Sequence, residues 1–225
     1  MKTLRITHVI VILCLLYLPI HAQKLPIKFG EVDMADLQMT KYDTDPDAEA
    51  VVLCDYGQLN FRFDQTDGQW IQELKRICRI KILTKDGYDF ATYSKSLYTS
   101  GRVKEELGQL KGFTYNLENG KLVKSKLEKE NIFEEKTTTN YTSKKFTLPN
   151  VKEGSVIEFT YVISSNTWTI LDSWYFQRSI PIRWSEYYVS IPDYFTYMKN
   201  SSGFGSFYKF ETNSKAASIT WTESE

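Results

Sequence analysis

A chain of 225 residues with 28 basic and 28 acidic side chains, 42% hydrophobic and 15% aromatic, can bury a substantial core and lacks the bias of a disordered segment. Its balanced charge, with no Lys/Arg cluster standing out, excludes a phosphate-neutralising face, so nucleic acid is not an expected partner. One globular domain is the expectation.

The N-terminus comes first, because it decides what the working chain contains. Lys2 and Arg5 precede an apolar run over residues 9–18, followed by Pro19, Ile20, His21 and Ala22, the pattern of a secretory signal peptide over residues 1–22. The run is too short to cross a bilayer as a helix, which takes about 20 apolar residues. Ala22 sets the cut before Gln23, leaving residues 23–225 as one β domain expected in the periplasm or cell envelope. Cys14 lies inside the apolar run behind Ile12 and Leu13, where lipoprotein processing would want a small residue. Cleavage removes both histidines, His8 and His21, so the exported chain has no imidazole; of three cysteines it keeps Cys54 and Cys78.

Residues 32–40 read as a turn or two of helix ahead of the Asp45-Pro46 break. From Ala50 onward the dominant period is two, which predicts half-buried strands over 50–56, 59–63, 77–83 and 88–97. A second scrap of helix is expected over 69–75, with Asp67 as its N-cap. Asp86-Gly87 falls between two alternating runs and predicts a hairpin turn, as does Asn119-Gly120 within GFTYNLENGKLVKSKL, where Phe113, Tyr115 and Leu117 share a face. Further strands are expected around 134–141, 155–163, 185–191, 204–211 and 218–222. Ten to twelve short strands with frequent turns and little helix predict an all-β, two-sheet sandwich with short helical turns near the N-terminus. Residues 219–225 still read as strand, so the chain is expected either to be cut from something longer or to end as one domain closes.

Without histidine, paired carboxylates are the catalytic apparatus the chain could field, and Glu153, Glu158 and Glu186 are the candidates. Glu153 sits in a Lys-Glu-Gly turn. In VIEFTYVI, Ile157, Phe159, Tyr161 and Ile163 take one strand face and Val156, Glu158, Thr160 and Val162 the other, so Glu158 is partly covered and needs a partner. Arg178 or Arg183, from FQRSIPIRW, could supply a structural ion pair. Cys54 and Cys78 read as small buried hydrophobes, or as a disulfide that an exported compartment would permit if their Cα atoms came within about 7 Å. Trp168, Trp174, Tyr175, Trp184, Tyr187 and Tyr188 cluster in sequence; they fit a core, or ligand-facing aromatics, with Trp168 and Trp174 the rings singled out and Trp168, in SSNTWT, the more exposed. Asp43, Asp45 and Asp47 are spaced like calcium ligands but lack the glycine and distal glutamate of an EF-hand, and Gly203-Phe204-Gly205 has no helix after it to hold a phosphate. No cofactor, metal site or catalytic residue is expected.

The segment over 148–192, LPNVKEGSVIEFTYVISSNTWTILDSWYFQRSIPIRWSEYYVSIP, together with DPDAEAVVLCDYG, the RIKIL run and FTYNLENGKLVKSKL, resembles the DUF3857 family over nearly all of residues 29–225. That family is found ahead of a transglutaminase-like domain in exported bacterial proteins, above all of the Bacteroidetes. The resemblance implies an immunoglobulin-like β-sandwich, followed in longer relatives by a papain-like core with a Cys, His, Asp triad. That core is not in this sequence, and with no imidazole the triad carries over to no residue here. The resemblance therefore implies a non-catalytic exported accessory or interaction module whose partner is a transglutaminase-like domain or another envelope protein. A carbohydrate- or peptide-binding module using exposed aromatics is the alternative, and a carboxylate-based hydrolase a third reading.

Overall fold

The computed structural model describes residues 25–203 and 205–213. The signal peptide over 1–22 and the strand expected over 218–222 lie outside the described residues. One short helix, α1 (Met34–Gln38), precedes the strands β1 (Ala50–Asp64), β2 (Gln69–Ile82), β3 (Thr92–Ser100), β4 (Val103–Glu118), β5 (Lys121–Lys126), β6 (Ile132–Lys136), β7 (Tyr141–Thr147), β8 (Val156–Ser165) and β9 (Ser185–Val189). The chain is all-β, as its period-two pattern requires.

Local chemistry explains where the elements depart from expectation. The two strands expected over 50–56 and 59–63 are one, because Gly57 continues β1 without a turn. Residues 69–75 form no helix; they are the first half of β2, paired residue for residue with β1 from Leu59↔Leu74 to Asp64↔Gln69. Cross-strand pairing along that ribbon outweighs a weak local helix preference. Asp86-Gly87 makes no hairpin either. It lies in a 3-10 turn over Lys85–Ala91, where a Cβ on Gly87 would come within 2.4 Å of the Glu49 carbonyl oxygen, so this glycine serves close backbone approach. The Asn119-Gly120 turn forms as expected, with both residues at positive φ, 49° and 76°, joining β4 to β5. Residues 205–211, expected as part of a strand, have no regular structure.

The strands form one hydrogen-bonded path, β6-β7-β3-β4-β8-β2-β1-β9, with β5 paired to β4 off that path. In place of two separate sheets, the path folds into two unequal layers. A larger layer runs β5-β4-β8-β2-β1-β9, and β6-β7-β3 makes a smaller one joined to it through two residue pairs at the β3–β4 hairpin, Thr99↔Lys104 and Ser100↔Val103. A register shift between Gly108 and Lys111, with Gln109 at φ 52°, marks a bulge in β4 of the kind that bends a strand.

Register assigns the faces of the larger layer. Ile157, Phe159, Tyr161 and Ile163 of β8, with Cys78, Ile80 and Ile82 of β2, meet Leu97, Phe146 and Leu148 around the smaller layer and form the main core. The opposite face is covered near its end by α1 and the residues before it, where Leu37 packs with Val51, Tyr115 and Val156. After β8 the chain runs irregularly over 166–184 and returns to the free edge of β1. There Val52 N–H donates to the Pro181 carbonyl (2.9 Å) and Arg183 N–H to the Val52 carbonyl (2.8 Å), ahead of the parallel β1–β9 pairing.

Candidate functional site

The core-side face of the larger layer, at and beyond the edge of the smaller layer, carries two rows of side chains set by register. Tyr161, Arg76, Gly57 and Tyr187 lie abreast across β8, β2, β1 and β9, and Phe159, Cys78, Asp55 and Ser185 form the next row. The irregular crossover lays Trp174 over Gly57. A Cβ at Gly57 would sit 2.4 Å from the indole Cζ3, so glycine is what admits the ring edge to the strand. Tyr187 stacks on Trp174, with centroids 4.9 Å apart and planes at 4°, and the Arg76 guanidinium lies 5.1 Å from the indole centroid. The indole N–H donates to Ser185 Oγ (3.1 Å), and Asp172 of the same crossover pairs with Lys95 of β3 (2.6 Å).

Asp55, fully buried, is the electrostatic centre. Arg76 grips it bidentately, Nε to Oδ1 at 2.7 Å and Nη2 to Oδ2 at 2.6 Å, and Arg178 Nη2 also donates to Oδ2. The remaining Arg76 terminus donates to Tyr93 Oη (2.9 Å), which is hydrogen-bonded to Tyr161 Oη at 2.8 Å. Burial pushes the Asp55 carboxyl up and Arg76 pulls it back down. Beside this cluster opens a cleft of about 310 Å³, lined by Arg76, Tyr93, Ser173, Trp174, Gln177 and Arg178, with Tyr175 at its rim. Guanidinium, indole, phenol, amide and hydroxyl groups suit binding an anionic group with an apolar body.

The residues singled out from sequence fall in three places. Trp174 and Arg178 reach the cleft. Arg178 and Arg183 do not pair with Glu158: Arg178 goes to Asp55, and both Arg183 termini donate to Asp36 Oδ1 at 2.8 Å. Glu158 is on the other face of β8, fully buried, because Glu158 opposes Arg79 directly across β2–β8. It accepts from Arg79 Nε (2.9 Å), Tyr115 Oη (2.9 Å) and Gly30 N–H (2.8 Å), while Arg79 Nη2 also caps the Glu31 carbonyl (2.5 Å). Glu186 sits on β9, three strands away or about 14 Å, and hydrogen-bonds the Trp184 indole (3.1 Å), so the two carboxylates do not face each other. Glu153 is exposed in its turn.

The cysteines are free and buried, not bridged. Cys78 opposes Asp55 while Cys54 opposes Arg79, so neighbouring register positions send the two thiols to opposite faces of the sheet. Burial raises both thiols, Cys54 to about 12. Trp168 is 44% exposed and stacks on Phe195 (5.0 Å), at the end of a ring cluster that includes Phe61, Trp70 and Tyr197. Asp43, Asp45 and Asp47 are exposed, and among the described residues no group of three or more His, Cys, Asp or Glu could hold a metal ion. No described helix is long and apolar enough to cross a membrane.

Sequence reasoning missed Asp55, Arg76 and Tyr93. A signal existed for Arg76: it shares the period-two phase of Cys78, Ile80 and Ile82, and a charge in an apolar phase demands a buried partner.

The DUF3857 family, described as "Domain of Unknown Function with solved-structure structure", matches residues 73–224, which include Arg76, Trp174 and Arg178 but not Asp55 or Gly57. Among solved structures, the crystal structure of "a putative protease" from Parabacteroides distasonis ATCC 8503 is similar, with 13% identity and a TM-score of 0.52 over 65% of this chain. At that identity the likeness is one of fold, and this chain spans 29% of that protein's length. No curated protein matches the chain.

Proposed function

This chain belongs to the DUF3857 family, and on that premise we propose that it is a non-catalytic, exported β module that works by contact with a partner, a transglutaminase-like domain or another envelope protein. One observation carries the reading. The buried ionisable groups are bound up in the scaffold, Glu158 with Arg79, Tyr115 and Gly30, and Asp55 with two arginines, whereas the groups that line the open cleft are ones that bind. A general acid or base needs a free lone pair or proton within reach of substrate, and a buried bidentate carboxylate offers neither. The signal-like N-terminus supports export, with the mature chain beginning at Gln23.

The test is turnover. The purified chain, assayed on a panel of peptide and glycoside substrates, is expected to be inactive. Hydrolysis that vanishes in Asp55→Asn or Glu158→Gln would overturn the reading.

A second reading, a carbohydrate- or peptide-binding surface, is favoured by the partly exposed ring cluster ending in Trp168. It requires that an oligosaccharide or peptide quench tryptophan fluorescence and that Trp168→Ala abolish the change.

A further inference from the structure

Among the described residues, the cleft beside Trp174 holds one more positive charge than negative. Two guanidiniums converge on one carboxylate, Asp55 of β1, while the acid of the crossover, Asp172, is matched by Lys95. All three nitrogens of Arg76 are engaged, Nε and Nη2 on Asp55 and Nη1 on the Tyr93 and Tyr161 hydroxyls, and its side chain is 13% exposed. Arg178 is engaged at one end only. It gives one terminus to Asp55, its other N–H groups donate to nothing among the described residues, and its side chain stays 23% exposed on the cleft wall. A guanidinium fixed at one end by a buried carboxylate and open at the other is pre-organised to receive an anion.

The surroundings narrow what that anion is attached to. Both faces of the Trp174 ring are flanked, by Tyr187 on one side and Arg76 on the other in the row Arg76–Gly57–Tyr187, so a sugar ring has no indole face to stack upon here. What the cleft offers is aromatic edge and wall, the Gln177 amide and the Ser173 hydroxyl, which match the apolar side chains and backbone amides of a polypeptide. Its volume of about 310 Å³ is at the small end of ligand pockets, roughly 300–1,000 Å³, room for a short stretch of chain. One surplus positive charge matches a single carboxylate.

We propose that this cleft binds a carboxylate of a polypeptide partner, the carboxylate on Arg178, the neighbouring side chain against Trp174 and Tyr175, and the backbone on Gln177 and Ser173. This rests on the reading of the chain as an interaction module and names the chemistry its partner presents.

The experiment titrates the purified chain by calorimetry with acetyl-Ala-Phe, its C-terminal amide, acetyl-Ala-Glu-amide and glucuronate. At least one of the two peptide carboxylates is expected to bind, acetyl-Ala-Phe identifying a chain terminus and acetyl-Ala-Glu-amide an acidic side chain, with acetyl-Ala-Phe-amide at least about tenfold weaker. Arg178→Gln is expected to lower the affinity about ten- to a hundredfold with its circular dichroism unchanged, since Arg76 still holds Asp55. Ser173→Glu, on the exposed rim, supplies a competing carboxylate without touching the buried cluster and is expected to abolish binding too. Equal affinity for the neutral amide, binding of glucuronate alone, or wild-type affinity in both variants would overturn the proposal. Failure of every probe to bind overturns the cleft assignment and leaves the interaction-module reading in place, because that reading falls only to substrate turnover.

Discussion

At the scale of single residues, the protein is organised by two ion-paired clusters buried on opposite faces of one sheet, Asp55 with Arg76 and Arg178 on one and Glu158 with Arg79 on the other. Glu158 and Arg79 are each almost wholly out of water, and every oxygen of the carboxylate has a donor. Removing one partner leaves a buried charge without its mate, so Glu158→Gln or Arg79→Met is expected to cost about 3–5 kcal/mol in urea unfolding. The paired change Arg79→Met with Glu158→Leu is expected to recover most of it; a double variant no better than the singles would mean that the capping of Gly30 and Glu31 matters more than the ion pair. Lys81 is a different case. Its Nζ is buried and donates to the Leu37 and Gly154 carbonyls at 2.7 and 2.6 Å, and burial lowers its pKa from 10.5 to about 8, with Asp36 opposing. Between those values the unfolded chain binds more protons than the folded one, so stability rises with pH across the window and falls back as pH drops towards 8. The stability of the native sequence minus that of Lys81→Met is therefore expected to climb by up to about 1.4 kcal/mol per pH unit between pH 8 and 10.5. Taking the difference cancels Cys54, which titrates with the opposite sign above pH 9; a flat difference would refute the lysine's part.

At the scale of elements, the long β1–β2 ribbon and the crossover over 166–184 build the cleft together. Gly57 is the point of contact, and its substitution by alanine drives a methyl group into the Trp174 ring. Gly57→Ala is expected to cost about 1–3 kcal/mol and to red-shift the tryptophan emission as the indole leaves its slot; an unshifted spectrum would show that the ring is held elsewhere. Much of this level was legible beforehand. Asn119-Gly120 announced its hairpin through positive φ, and the apolar phase of VIEFTYVI announced the core face of β8. What was not legible was whatever depends on the neighbour. Residues 69–75 become strand because β1 extends alongside them, and Gly87 gives room to the Glu49 backbone within a 3-10 turn instead of closing a hairpin, contacts that no local pattern records. The cleft failed for the same reason: Arg178 was visible as a partner in search of an acid, but Asp55 is 123 residues away in sequence and only the register of β1 brings it there.

At the scale of the whole molecule, both thiols are locked inside the sheet. Cys54 and Cys78 are expected to resist maleimide in the folded chain, to react fully in denaturant, and to give no mass change on reduction of the intact protein; rapid native labelling would contradict the burial described above. The all-β class was readable from period two, while the way eight strands share one bent path with β5 paired off it was not, since hydrophobic phase says which face is buried and nothing about strand order. That order has a consequence for how the protein comes to be folded. β1, the first strand made, acquires its parallel partner β9 only when Ser185–Val189 has been synthesised, and Val52 waits on the backbone around Ile182. Contacts so distant in sequence are slow to form because loop-closure entropy opposes them until the late segment arrives. The β1–β2 ribbon can therefore form early, while the outer edge of β1 stays unpaired until the segment around Ser185–Val189 arrives to cover it.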